Sequence, residues 1–179
     1  VSEIYMAAKS AGNIYKTDIE QCFDEEKQMF LADRYVIGDC PKCGAANQYG
    51  DGCDVCGATY SATELVNPKS ALSGTAPIEK ISEHVFFDLE KEKGNLANFL
   101  NNSSIQSTIV SKLSEWLDDD LRGWDISRDS PYFGFKIPEE NEKYFYVWVD
   151  APIGYMASAQ HWADRNNTSL EILWSKNSE

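Results

Sequence analysis

Long apolar runs are missing from this sequence of 179 residues. No run approaches the roughly 20 apolar residues that a membrane-spanning helix needs. The N-terminus also lacks the basic segment and the apolar segment of a secretory signal. Apolar residues make up 42% of the chain, which is typical of a globular protein and not of a disordered one. We therefore expect a folded protein of the cytoplasm, with one sizeable core or two small ones and no membrane contact.

The common sequence signatures of catalysis are also missing. There is neither a Gly-x-Gly-x-x-Gly nor a Gly-x-x-x-x-Gly-Lys phosphate loop, and no Ser/His/Asp or Cys/His nucleophile set is evident. Only two histidines occur, and we interpret His84 as structural and His161 as lacking a catalytic partner. The net charge of −13 argues against broad, non-specific binding to nucleic acid, although it leaves room for a small contact patch. The acidic run at 118–120 is interpreted as a solvated surface.

Four of the five cysteines form two Cys-x-x-Cys pairs, separated by nine residues, and Cys22 stands alone. An odd count with this clustering favours a reducing compartment and a bound metal over a disulfide framework. Four thiolates in a tetrahedral set suit zinc and leave no coordination position for a substrate, so the site would be structural. A disulfide pair and a rubredoxin-like iron site are the alternatives. The predicted ligands are Cys40, Cys43, Cys53 and Cys56. The glycine after each pair is expected to take a positive φ, which such turns often need.

The chain is organised around the segment 144–156, Tyr-Phe-Tyr-Val-Trp-Val-Asp-Ala-Pro-Ile-Gly-Tyr-Met. Its first six residues predict a strand buried on both faces. Asp150 and Pro152 predict the start of a helix that runs to about Arg165. Small residues where a strand feeds a helix are typical of ligand sites at the edge of an open α/β sheet. An aromatic pocket is therefore predicted here, the alternative being a core strand packed on a core helix; its residues would be Trp148, Ala151, Pro152 and Tyr155.

Three segments, in this order, carry a resemblance to one family. The cysteine block from Cys40 to Cys56 looks like the zinc knuckle of bacterial methionyl-tRNA synthetases. The run Trp124–Phe135 looks like the segment that enters their catalytic domain, and 148–156 closely resembles their methionine-pocket segment. The resemblance covers roughly Ile4 to Trp174 and is weakest between Glu90 and Arg122.

The resemblance implies an α/β protein: a partial Rossmann-like nucleotide-binding fold interrupted by an inserted α+β connective domain with a zinc knuckle. Residues 1–37 would end the first half of the catalytic fold and lead into the insertion. Residues 38–123 would form the connective domain, with the knuckle at 40–57. Residues 124–179 would begin the second half, with the methionine-pocket strand and helix.

The resemblance also implies the chemistry of the parent enzyme, which activates methionine with ATP and Mg²⁺ and transfers it to tRNA(Met). The residue that it places at the activation site is Arg128, and it adds Trp124 to the methionine pocket. It allows a homodimer through parts outside this chain. The family's His-x-Gly-His-type and Lys-Met-Ser-Lys-Ser-type elements do not occur here, and the chain begins at Val1 and not at Met. We therefore expect an internal fragment that is inactive by itself.

Two other interpretations come from different classes. One is a stand-alone zinc-knuckle module that binds protein or RNA without catalysis. The other is an iron redox protein, which would show a visible absorbance band. A zinc-loaded, colourless sample would dismiss the second.

Overall fold

The computed structural model describes residues 1–102, 104–118 and 121–174. The chain divides into two compact units. The knuckle unit comprises Lys16–Val85 and Asp129–Tyr132, and the helical unit comprises Val1–Tyr15, Phe86–Arg128 and Phe133–Glu179. Five helices and nine strands lie among the described residues, in the order α1 Ser2–Ser10, β1 Ile14–Asp24, β2 Met29–Phe30, β3 Val36–Asp39, β4 Gln48–Tyr49, β5 Val66–Ser70, β6 Ile78–Phe87, α2 Leu89–Asn102, α3 Ser107–Asp118, β7 Trp124–Asp125, β8 Ser127–Asp129, β9 Lys143–Phe145, α4 Val147–Arg165 and α5 Leu170–Trp174.

The knuckle unit is built on two sheets. In this unit the larger sheet has the strand order β2-β1-β6, and the smaller sheet has the order β4-β3-β5. Strand β7 pairs with Phe86 and Phe87, which belong to the helical unit. In the β1–β2 hairpin Phe23 pairs with Phe30, and their rings meet edge to face at 5.1 Å. The turn between β1 and β2 contains Gln28, which takes a positive φ of 52°. Apolar side chains of the unit bury one another in a core of Cys22, Leu31, Val36, Ala62 and Leu65.

The smaller sheet carries the cysteine pairs. Strand β3 lies in its centre and is antiparallel to both neighbours. A side chain at Gly38 of β3 would come within 2.8 Å of the Val66 carbonyl oxygen, so the close approach of these strands requires glycine. Cys40 directly follows β3, and Cys53 follows β4 by a short turn. Both cysteine pairs therefore lie at the same end of the smaller sheet.

The helical unit packs its buried side chains around Phe145 of β9. Phe145 is fully buried, and its ring meets that of Tyr5, on α1, edge to face at 5.4 Å. The amide of Phe145 donates to the carbonyl of Phe135 at 2.9 Å, and the next amide, of Tyr146, donates to Ile126 at 2.9 Å. These bonds fix the backbone at the entry to α4.

The predicted strand at 144–149 is wrong after Phe145. Strand β9 ends at Phe145, Tyr146 is the N-cap of α4, and the amide of Val149 donates to the Tyr146 carbonyl at 2.8 Å. Asp150 therefore lies in the first turn and is not the cap, and Pro152 lies inside the helix. A six-residue apolar run has no period that separates a strand from the start of a helix, and this is why the pattern misled. The predicted end of the helix at Arg165 is confirmed.

Other parts of the sequence-based account remain predictions. The three domain ranges, 1–37, 38–123 and 124–179, are assignments to parts of a larger fold and stay predictions. Of the acidic run, positions 119 and 120 lie outside the described residues. Among the helices that the structure describes, none is long and apolar enough to cross a membrane.

Candidate functional site

The four paired cysteines bring their sulfur atoms together in the knuckle unit. All four Sγ atoms lie within 4.8 Å of one another. The Sγ atoms of Cys40 and Cys56 are 3.8 Å apart, and those of Cys43 and Cys53 are 3.7 Å apart. A tetrahedral zinc ion with Zn–S bonds of about 2.3 Å separates its sulfur ligands by about 3.8 Å. The cysteines are thus positioned to bind a metal ion, and their spacing fits zinc.

The backbone of both cysteine turns follows one pattern. The amide of Gly44 donates to the Cys40 carbonyl at 2.9 Å, and the amide of Gly57 donates to the Cys53 carbonyl at 2.8 Å. Both glycines take positive φ values, of 73° and 70°. Glycine adopts this conformation without a steric penalty. The sequence-based expectation of a positive φ after each pair is confirmed.

Backbone amides also point at the sulfur atoms. The amides of Lys42 and Cys43 each lie 3.4 Å from the Cys40 sulfur, and the amide of Cys56 lies 3.4 Å from the Cys53 sulfur. Burial opposes ionisation of Cys40, yet the amides of Cys43 and Lys42 outweigh it and lower its pKa to about 6. The amides of the first turn therefore favour the thiolate form of Cys40.

The second thiol of that turn behaves in the opposite way. A bond from the Ala45 amide favours the thiolate of Cys43, but the neighbouring Cys56 thiol and burial raise its pKa to about 12. Four adjacent thiolates repel one another unless a cation lies between them. We therefore expect metal binding to release protons, with an affinity that rises with pH. Because all four ligand positions are filled by protein, the site suits a structural ion.

The predicted pocket residues Trp148, Ala151, Pro152 and Tyr155 share one face of α4. Their spacing of three, four and seven residues places them along a single helical stripe. This face is exposed: 63% of Trp148 and 78% of Tyr155 are accessible. The structure thus brings four of the five predicted pocket residues together, although on a helix and not across a strand–helix junction.

The fifth residue, Trp124, lies on β7 and is half-buried. Its backbone partner is Phe87 of β6. Trp124 therefore belongs to a different element of the helical unit from the other four. Its membership of the pocket stays a prediction.

The side chain of Arg128 lies at the start of α4. Its guanidinium stacks on the Tyr146 ring at 3.9 Å and pairs with the Asp125 carboxylate at 3.3 Å. It also donates to the Ser127 carbonyl at 2.5 Å. Only about a quarter of the side chain is exposed. Arg128 is thus held in place by three groups.

Sequence reasoning missed a buried polar cluster in the knuckle unit. The Nε2 atom of His84, which is fully buried, lies 2.9 Å from an Asp129 carboxylate oxygen and 2.6 Å from the Gln21 amide group. The Ser82 hydroxyl donates to the same oxygen of Asp129 at 2.9 Å. The interpretation of His84 as structural fits this packing. A polar residue at alternate positions of β6, Ser82 and His84, was the available signal.

Comparison with known proteins decides the family. A family model described as tRNA synthetases class I (M) matches residues 1–179. The chain belongs to this class I tRNA synthetase family.

Solved structures of other proteins have a fold similar to that of this synthetase chain. The apo form of Mycobacterium tuberculosis methionyl-tRNA synthetase is similar with a TM-score of 0.58 at 20% identity, over 97% of this chain and 30% of that one. The form bound by methionyl-adenylate is similar with a TM-score of 0.58 at 18% identity, over the same shares. A third structure, in complex with methionyl-adenylate, gives 0.53 at 20% identity, over 88% of this chain and 27% of that one. The predicted α/β fold class is confirmed, and the synthetase chain spans less than a third of the length of these structures.

Proposed function

We propose that this chain is part of a methionine–tRNA ligase that activates methionine with ATP and Mg²⁺ and transfers it to tRNA(Met). The observation that carries the proposal is the class I (M) family match over the whole chain. The fold similarity to methionyl-tRNA synthetases and the four-cysteine cluster support it. The proposed domain roles are those predicted from the sequence.

The proposed metal is a structural zinc ion held by Cys40, Cys43, Cys53 and Cys56. Its chemistry would be to neutralise the thiolates and hold the two cysteine turns together. The turns themselves contain little apolar material: Cys43, Val55 and Cys56 are exposed. A knuckle of this kind depends on its ion for a fixed shape. Zinc therefore has no step in the proposed reaction.

The proposed methionine site is the face of α4 that carries Trp148 and Tyr155, with Trp124 contributing from β7. Aromatic rings favour contact with a thioether sulfur, which suits the methionine side chain. The indole N–H and the phenol O–H provide polar handles at the rim of such a site. The exposure of this face leaves it open to a ligand and to further protein surface.

The proposed role of Arg128 is to bind a negatively charged group during activation. In that step a carboxylate oxygen of methionine attacks the α-phosphorus of ATP, and pyrophosphate leaves. Negative charge gathers on the phosphoryl oxygens, where a fixed guanidinium is most useful. The contacts of Arg128 with Tyr146 and Asp125 orient it in advance. No side chain of this chain has to give or take a proton, since the reaction depends on positioning and electrostatics.

Substitution of Trp148 tests the pocket in the protein made from the complete reading frame that encodes these residues. Loss of an indole that packs on the substrate costs about 1.5–3 kcal/mol, so Trp148→Ala should raise the KM for methionine about tenfold to a hundredfold. Trp162→Ala is the matched control. It removes an exposed tryptophan of the same helix, 53% accessible and roughly 21 Å further along the helix axis, and should leave this KM unchanged.

An unchanged KM in Trp148→Ala would contradict the pocket assignment and favour the zinc-knuckle binding module. The chain of 179 residues alone should catalyse no methionine-dependent pyrophosphate exchange. Such exchange by this chain would show that the activation site does not need elements beyond it.

A further inference from the structure

One polar side chain links the two cysteine turns without being a ligand. Gln48 is the first residue of β4, and its backbone pairs with Gly38 of β3. Only 8% of the residue is accessible. Its amide nitrogen donates to the Ala46 carbonyl at 2.8 Å, and its amide oxygen accepts from the Asp54 amide at 2.8 Å. Ala46 follows the first cysteine turn, and Asp54 lies between the ligands of the second.

The orientation of the Gln48 amide is fixed by its partners. A backbone carbonyl only accepts and a backbone N–H only donates, so the nitrogen must face Ala46 and the oxygen must face Asp54. The side chain therefore makes two bonds of defined direction, one to each half of the knuckle. Since the backbone of Gln48 is held by β3, these bonds connect both halves to the sheet.

A difference between the turns explains why the second one needs this partner. In both turns the glycine amide donates to the carbonyl of the first cysteine. In both, the amide of the first cysteine also donates to an alanine carbonyl: Cys40 to Ala45 at 2.8 Å, and Cys53 to Ala58 at 2.9 Å. The residue after the first cysteine is Pro41 in one turn and Asp54 in the other. Proline has no N–H. The Asp54 amide is thus a donor that the equivalent position of the first turn lacks, and Gln48 satisfies it.

We propose that Gln48 is a positioning residue for the metal site, which sets the second cysteine turn against the first through the Asp54 amide. The proposal rests on the metal assignment within the proposed function. Residues that orient metal ligands typically contribute a factor of about 10–100 to metal affinity. Loss of the Gln48 oxygen removes the acceptor of the Asp54 amide and so destabilises the bound conformation of the second turn.

The test measures the zinc affinity of the protein made from the complete reading frame that contains these 179 residues, by competition with a chromophoric chelator. Gln48→Met keeps the side-chain volume and removes both bonds, so it should weaken zinc binding about 10–100-fold. Gln160→Met makes the same chemical change at an exposed glutamine of α4, bonded to Asp164, and should have no effect. If the unsubstituted chain binds no zinc, the metal assignment itself is wrong. If it binds zinc and Gln48→Met binds equally well, only the role of Gln48 is refuted.

A double substitution separates positioning from simple packing. Asp54→Pro removes the N–H that Gln48 satisfies and copies the residue that the first turn already accommodates. In that background Gln48→Met should cost about half of its effect in the native sequence, because only the Ala46 bond remains to be lost. An equal cost in both backgrounds would show that Gln48 does not act through the Asp54 amide. Asp54→Pro alone should also weaken zinc binding, because it removes the bond through which Gln48 holds the second turn, and unchanged affinity would contradict the proposal.

Amide hydrogen exchange in the zinc-loaded chain gives an independent readout. Gln48→Met should accelerate exchange at Asp54, while the Gly57 amide, which bonds to the Cys53 carbonyl, stays protected. Unchanged protection at Asp54 would overturn the proposal. Uniform acceleration over the whole knuckle would likewise show a general loss of structure in place of a positioning role.

Discussion

Two glycines of the loop between the cysteine pairs should respond to alanine in opposite ways. A Cβ atom at Gly50 would lie 2.7 Å from the Ala62 Cβ and 2.8 Å from the Asp33 carbonyl oxygen. Ordinary contacts between such atoms lie at about 3.5–4.0 Å. Each of the two contacts of the added Cβ atom would therefore be at least roughly 0.7 Å too short. A Cβ atom at Gly52 would meet its nearest neighbour, the Ala58 carbonyl oxygen, at 3.5 Å.

The neighbours of Gly50 have little freedom to move. Ala62 is buried and begins a 3₁₀ turn at Ala62–Glu64, which is closed by a capping box with Ser61. The Asp33 carbonyl accepts the Gly50 amide at 3.1 Å, so a retreat of this oxygen would lengthen that bond. Overpacking of a rigid contact costs about 1–3 kcal/mol, and we expect Gly50→Ala to lower the free energy of unfolding by this amount.

Gly52→Ala serves as the matched control, two residues away. Its φ lies outside the left-handed region, so alanine mainly restricts the unfolded chain. The expected change is a gain of up to about 1 kcal/mol. Urea unfolding at a fixed concentration of free zinc measures both variants, because bound metal adds to stability by mass action. Equal stability of Gly50→Ala and the native chain, or an equal loss in both variants, would refute the packing argument.

Two further predictions concern buried charges of the knuckle unit. Burial opposes ionisation of Asp24, yet bonds from the Ser70 and Ser73 hydroxyls hold its pKa down to about 2, below the value of about 3.9 in an unfolded chain. This carboxylate therefore stabilises the fold above about pH 4, and the contribution is lost as the pH falls from about 4 towards 2. In urea unfolding at a series of pH values, Asp24→Asn should be less sensitive over that range than the native chain, and parallel curves would contradict the assignment. His84→Phe removes the imidazole group that bonds to Asp129 and should lower the free energy of unfolding by about 1–3 kcal/mol. His161→Phe makes the same change at an exposed residue of α4 and should alter the free energy of unfolding by less than about 0.5 kcal/mol.

The metal centre could be predicted in detail because its geometry is local. Two Cys-x-x-Cys pairs fix which atoms meet, and glycine after each pair fixes the turn. The structure brings the four sulfur atoms together and gives both glycines a positive φ, as expected. Local patterns of this kind are the ones that a single sequence reveals best.

The start of α4 could not be predicted in the same way. The run from Tyr144 to Val149 is apolar throughout, so its pattern fits a buried strand as well as a helix. The decision is made by bonds from Phe145 to Phe135 and from Tyr146 to Ile126, which end the strand early. The exposure of Trp148 is equally invisible, because hydrophobic side chains are ordinarily assumed to be buried.

The contacts of His84 and Gln48 lie beyond sequence reasoning for a different reason. The imidazole of His84 meets Asp129, 45 positions away, through the pairing of distant strands. Gln48 is one of several polar residues in a turn-rich loop, and only its burial and its bonds distinguish it. The contrast of Pro41 with Asp54 was visible in the sequence. It acquires meaning only when the two turns are seen to share one backbone pattern.

The most direct test of the central claim is amino-acid-dependent exchange of pyrophosphate into ATP, measured for all twenty amino acids. The enzyme is the protein made from the complete reading frame that contains these 179 residues. The account predicts exchange with methionine and a strong loss of that activity in Arg128→Ala. Exchange that depends on a different amino acid, or none with methionine, would contradict the assignment of this chain to a methionine–tRNA ligase.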